Sequence, residues 1–169
     1  MRRLFSELIG IQVVDSHTTH QCGVVRDLII DPEKGTVLAF IVGKNKIVAP
    51  MDVERIGNAL FINSSDHITS IEDILRVDEV HKRNIQILGA QVRGIETGMY
   101  LGRVFNYSID TTHMRLTAIY VAKLFLFFKY EEKNIAAKNI VEIKANEIRV
   151  KELLKTKEEA VASSSAVAI

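Results

Sequence analysis

Three observations predict an all-β fold with a minor helical part, built as two small barrels in tandem and joined by a short helical linker. The chain of 169 residues repeats itself at a constant offset of 79, without a gap, from position 9 to position 43. Its apolar residues fall in short β-branched runs, separated by turn residues at intervals of roughly 8–12 positions. Each repeat holds five or six such runs in about 60 residues, the density of a small sheet closed on itself.

The repeat decides the architecture before any local reading does. Ten of the 35 aligned pairs are identical, at Gly10, Gln12, Val13, Thr18, Gly23, Val25, Ile30, Asp31, Ala39 and Val42. In the first copy Ile11 to Val14 reads as a strand. The polar stretch Asp15 to Gln21 follows, where Asp15 and Ser16 can bond nearby backbone. Cys22 to Ile30 reads as one strand, rich in Val and Ile. Asp31-Pro32-Glu33-Lys34-Gly35 is then a turn, because Pro32 sets φ for its first corner and Gly35 can take the left-handed conformation. Thr36 to Gly43 returns, Lys44-Asn45-Lys46 turns again, and Ile47 to Ala49 is a short strand ended by Pro50. Met51 to Gly57 suggests a helical turn closed by glycine, and Asn58 to Ile62 a last strand.

The second copy follows this plan to Val121 and realigns later at an offset of 87, pairing Val48 with Ile135, Val53 with Ile140, Ile56 with Ile143 and Phe61 with Ile148. The eight additional residues fall around Lys123 to Tyr130. Its Asp110 turn lacks proline and glycine, so that hairpin is expected to be less tightly specified. Between the copies, Thr69-Ser70-Ile71-Glu72-Asp73 carries the signature of a helix start, and Val77 to Asn84 reads as a charged linker or a continuation of that helix. The expected division is a first barrel over 1–68, a partly helical linker over 69–86, a second barrel over 87–154, and a disordered tail over 155–169.

Net charge is +1, from 22 basic and 21 acidic residues. Residues 1–84 carry −2 and residues 85–169 carry +3, neither of them the basic excess of a nucleic-acid binder. The single Cys22 cannot form an internal disulfide. Met1 to Glu7 lacks the apolar core of a secretory signal, and no apolar run reaches the ~18–20 residues of a membrane span. The expectation is a cytoplasmic protein.

Leu8-Ile9-Gly10-Ile11-Gln12-Val13-Val14-Asp15-Ser16, then Gly23 to Gly35, then Val48-Ala49-Pro50 with Asp52-Val53 and Ile56-Gly57 together resemble the PRC-barrel family. This small barrel occurs at the cytoplasmic end of the photosynthetic reaction-centre H subunit and in a ribosome-maturation factor. The resemblance covers residues 8–63 well and 87–150 more weakly. It implies PRC-type barrels and a docking role rather than an activity. No transmembrane helix accompanies the barrels as in the reaction-centre subunit, and the separate N-terminal domain of the ribosome factor has no room here.

No residue cluster reads as catalytic, cofactor-binding or metal-binding. His17, His20 and Cys22 lack a fourth ligand at a suitable spacing and sit in a turn. Asp31, Pro32, Gly35 and Gly23 in the first copy, with Gly102 and Asp110 in the second, read as turn and close-approach residues. The run Leu124, Phe125, Leu126, Phe127 and Phe128 is the candidate contact surface, because a strand shows alternate side chains to opposite faces and one barrel cannot readily bury all five. Burial between the two barrels and contact with a membrane surface are the competing readings of that run. The resulting expectation is a non-enzymatic protein-binding or adaptor module that takes no cofactor and meets a protein partner or a second copy. A ribosome-assembly or RNA–protein-associated factor and a peripheral membrane-complex subunit are the alternatives, both by family analogy.

Overall fold

The computed structural model describes residues 1–125 and 128–151. They form a mostly β structure of three sheets. The elements of the first half are β1 (Arg2–Leu4), α1 (Phe5–Leu8), β2 (Gln12–Asp15), β3 (Gln21–Val24), β4 (Asp27–Ile30), β5 (Val37–Gly43), β6 (Lys46–Val48), β7 (Val53–Ile56), β8 (Ala59–Ile62), β9 (Thr69–Ser70) and α2 (Leu75–Lys82). The second half adds β10 (Gln91–Gly94), β11 (Tyr100–Asp110), β12 (Arg115–Phe125), β13 (Phe128–Ala136), β14 (Ile140–Ile143) and β15 (Glu147–Val150).

The sequence repeat is also a repeat of pairing. Strand β2 lies parallel to β8, with Val13 opposite Leu60. Strand β10 lies parallel to β15 in the same way, with Val92 opposite Ile148. The amide of Gly10 donates to the Val25 carbonyl at 2.9 Å, and that of Gly89 to the Val104 carbonyl at 2.8 Å. The equivalence of the last strands differs by one residue from the sequence alignment. Leu60, not Phe61, matches Ile148, because the turn Lys144-Ala145-Asn146 is one residue longer than Gly57-Asn58. A one-residue slip reverses the buried face of a strand, and Leu60 and Ile148 are both fully buried.

The two halves depart from each other in three places. Residues 22–30 are not one strand: β3 pairs with β2 while β4 pairs with β5 in another sheet, and the break at Val25-Arg26 lets the chain pass between them. Their counterpart β11 is continuous over eleven residues. The predicted helical turn at Met51 to Gly57 shrinks to a 3-10 turn at Pro50–Asp52, followed by β7. Finally, β12 and β13 form a hairpin longer than β5 and β6, absorbing the eight additional residues in its arms.

Residues 69–82 are more than a linker. The Ser70 amide donates to the Asp73 side chain at 2.8 Å, the reciprocal cap read from the sequence, and α2 follows. Val77 and Val80 are buried on Ile29, Ala39 and Ile47, closing the outer face of β4, β5 and β6. Each buried valine contributes about 1.5–3 kcal/mol of transfer free energy. The main core is continuous across both halves, from Leu8, Val13 and Phe40 to Val92, Ile119 and Ile148. Strand β1 pairs with β11, so the start of the chain completes the sheet of the second half. The stretch assigned to the tail lies outside the described residues. No helix among the described residues is long and apolar enough to cross a membrane.

Candidate binding surface

The aspartates that open the turns are committed to local structure. Asp31 is 1 % exposed, and its carboxylate accepts from the Glu33 and Lys34 amides at 2.9 and 3.1 Å. Two nitrogens of Arg76 on α2 meet its two oxygens, each at 3.1 Å. Burial alone would raise the Asp31 pKa; the Arg76 guanidinium and the two amides outweigh it, and the carboxyl lies below its usual range. Arg76 also contacts Glu33 and Glu79, so α2 is locked to the β4–β5 turn.

Asp110 holds the equivalent turn by other means. It accepts from the Met1 ammonium at 2.9 Å and the Thr112 amide at 2.9 Å, and pairs with His113 Nδ1 at 2.8 Å. His113 and the Met1 ammonium, with the Thr112 amide, hold its carboxyl well below the usual range. Met114 stands where the first turn has Gly35 and takes a left-handed φ of 48°. The turn is thus kept without glycine, at a cost of roughly 1–2 kcal/mol. Asp15 completes the set, accepting from the His17, Thr18 and Ser65 amides at 2.8–2.9 Å; the Thr18 and Ser65 amides are the main cause of its lowered pKa.

Gly23 and Gly102 both sit where a neighbouring strand passes close. A Cβ on Gly23 would lie 2.8 Å from the Val42 carbonyl oxygen, and one on Gly102 2.4 Å from that of Ala122. Pro32 and Gly35 form the β4–β5 turn, where the Gly35 amide donates to the Asp31 carbonyl at 2.8 Å. His17, His20 and Cys22 do not assemble: among the described residues no group of three or more His, Cys, Asp or Glu is placed to hold a metal ion.

The β12–β13 hairpin carries the run singled out in the sequence. Within the described strands Leu124 pairs with Lys129 and Phe125 with Phe128. Leu126 and Phe127 lie outside the described residues, as do the side chains of Phe125 and Phe128. Polar contacts stitch the hairpin where it leaves the sheet. Lys123 Nζ meets Glu131 at 2.7 Å, and Lys129 Nζ lies 4.0 Å from the Phe105 ring centroid. Leu124 is nonetheless 60 % exposed and Tyr130 44 %. Met99 and Tyr100, at the start of the neighbouring strand, are exposed as well. Tyr130 belongs to the segment that the sequence repeat sets apart, whereas Met99 and Tyr100 come beside it only through the strand register, which the sequence did not reveal.

No curated protein matches the chain. Residues 2–84, from β1 to the end of α2, match the family model of the PRC-barrel domain, and that stretch is accordingly similar to PRC-barrel domains.

Proposed function

We propose that this chain is a non-enzymatic binding module of two PRC-type barrels, acting in the cytoplasm as an adaptor for a protein partner or a second copy of itself. The family match over residues 2–84 supports the first barrel. The parallel β10–β15 pair and the shared register of the two halves support a second of the same type. The β12–β13 hairpin is the contact surface in this reading. The observation that carries it is the exposure of Leu124 and Tyr130 on a hairpin that outgrows its counterpart by eight residues. An adaptor also accords with the turn aspartates, whose hydrogen-bonding capacity is spent on the backbone, on Arg76 and on the Met1 ammonium.

The test is sedimentation of the full chain over a wide concentration range, beside a Phe125→Ser/Phe127→Ser variant and a Leu124→Ser/Tyr130→Ser variant. The expected result is association of the unmodified chain that both variants lose, with the far-ultraviolet circular dichroism unchanged. Variants that unfold would place the hairpin in the core, and variants that associate as before would move the contact surface elsewhere.

A further inference from the structure

A second surface feature is independent of the hairpin. A cavity of about 520 Å³ opens between the β4–β5 turn and the segment from Ala137 to Ile143. That size falls in the ~300–1,000 Å³ range of small-molecule sites. Leu116, Ile140, Val141 and Ile143 give it an apolar lining, and Val141 is 49 % exposed. Lys34, Arg115 and Lys138 line it too.

The charge at this cavity is unbalanced. Its two carboxylates are already engaged: Glu33 by Arg76 and Arg83, Asp110 by the Met1 ammonium and His113. Arg115 donates to the Lys34 carbonyl at 3.4 Å, and none of the three cations is ion-paired among the described residues. Like charges gathered around one concavity repel each other and raise the local potential for an anion. The equivalent cavity of about 390 Å³, formed by the Thr111–Met114 turn and residues 50–56, has no such set. Glu54 there occupies the place of Val141, and its Arg55 is stacked on the Phe61 ring at 3.4 Å. The cationic rim therefore belongs to one side of the molecule and is not a by-product of the shared strand plan.

We propose that the cavity lined by Lys34, Arg115 and Lys138 binds a small amphiphilic anion, a carboxylate or phosphate monoester with a short apolar body. The head group meets the three cations and the body covers Ile140, Val141 and Ile143. An arginine presents a planar fork suited to either oxyanion, while the lysines act as point charges beside it.

The test titrates the full chain with the fluorescent anion 1-anilinonaphthalene-8-sulfonate and with its neutral analogue N-phenyl-1-naphthylamine. The expected result is tighter binding of the anion, weakened about tenfold or more, the equivalent of about 1.4 kcal/mol, in Arg115→Gln/Lys138→Gln. Binding of the neutral analogue should not change. Lys34→Gln/Lys138→Gln, two exposed substitutions outside the bridge between the halves, provides a second variant should the first misfold. Octanoate and octyl phosphate are then added as competitors, and the stronger identifies the head group. Equal binding of charged and neutral probes, unchanged affinity in a folded variant, or displacement by neither competitor would overturn the proposal.

Discussion

Thr36 and Arg115 occupy equivalent positions in the two repeats and form an antiparallel bridge with each other. The Val37 amide donates to the Met114 carbonyl and the Leu116 amide to the Gly35 carbonyl, both at 2.8 Å. Each donor is the repeat counterpart of the other, and so is each acceptor. The two bonds are therefore related by an approximate two-fold axis through the Thr36–Arg115 pair. The turn of each half is held by the turn of the other, and neither tip is free.

This reciprocity, with a core continuous from Leu8 to Val150, predicts that the halves unfold together. The sequence provides convenient reporters. All four tyrosines, at 100, 107, 120 and 130, lie in the second half, and there is no tryptophan. Phe61→Trp, at a half-buried site under Arg55, adds a probe to the first half. Urea midpoints from tyrosine and tryptophan fluorescence should coincide. Two separated midpoints would show that the bridge and shared core do not couple the repeats.

Gly102 combines a φ of 133° with a 2.4 Å approach of its missing Cβ to the Ala122 carbonyl oxygen. Backbone atoms cannot yield as a flexible side chain can. Gly102→Ala should cost about 2–3 kcal/mol, the strain of a disfavoured conformation plus the displacement of β12. Gly98→Ala, at a φ of 70° with open space around it, should cost only about 1 kcal/mol. Urea unfolding of the two variants checks the order, and equal losses would remove steric approach as the reason for glycine at 102.

The repeat, the turn aspartates and the short strands were legible because each is written in local residue types at fixed spacing. What escaped is set by contacts between distant segments. Arg2 to Leu4 carry no strand signal of their own and become β1 only because β11 offers an edge. Val77 and Val80 look like isolated apolar residues in a charged run until the outer face of β4, β5 and β6 supplies their partners. The break between β3 and β4 was hidden for the same reason: Val24 and Val25 favour extended backbone whether or not one sheet continues through them. Of the candidate surfaces, the hairpin was visible as a run of apolar residues. The cavity lined by Lys34, Arg115 and Lys138 was not, since these residues are far apart in the chain and only the fold brings them to one concavity.

Asp27 and Asn106 are counterparts, and each caps the following residue: Asp27 Oδ1 accepts from the Leu28 amide at 2.8 Å and Asn106 Oδ1 from the Tyr107 amide at 2.9 Å. The second half thus does with a neutral amide what the first does with a carboxyl. Burial raises the Asp27 pKa above its ordinary value, and the Leu28 amide and the charge of His81 only partly oppose this. A carboxyl whose folded pKa is raised binds its proton more tightly folded than unfolded. Its favourable contribution is complete below the unfolded pKa of about 4 and is lost as pH rises through the folded value. Asp31, Asp15 and Asp110 have the opposite sign, their pKa values being lowered, so they stabilise the fold above about pH 4 and lose that effect in acid. Asp27→Asn should therefore raise the melting temperature at pH 7 while leaving it nearly unchanged at pH 3, where Asp27 is protonated in both states. Asp31→Asn should lower it at pH 7 and lower it less at pH 3. Thermal melts of both variants at the two pH values decide the matter, and an Asp27→Asn variant less stable at pH 7 than the parent would mean that the carboxylate has a favourable partner beyond Leu28 and His81.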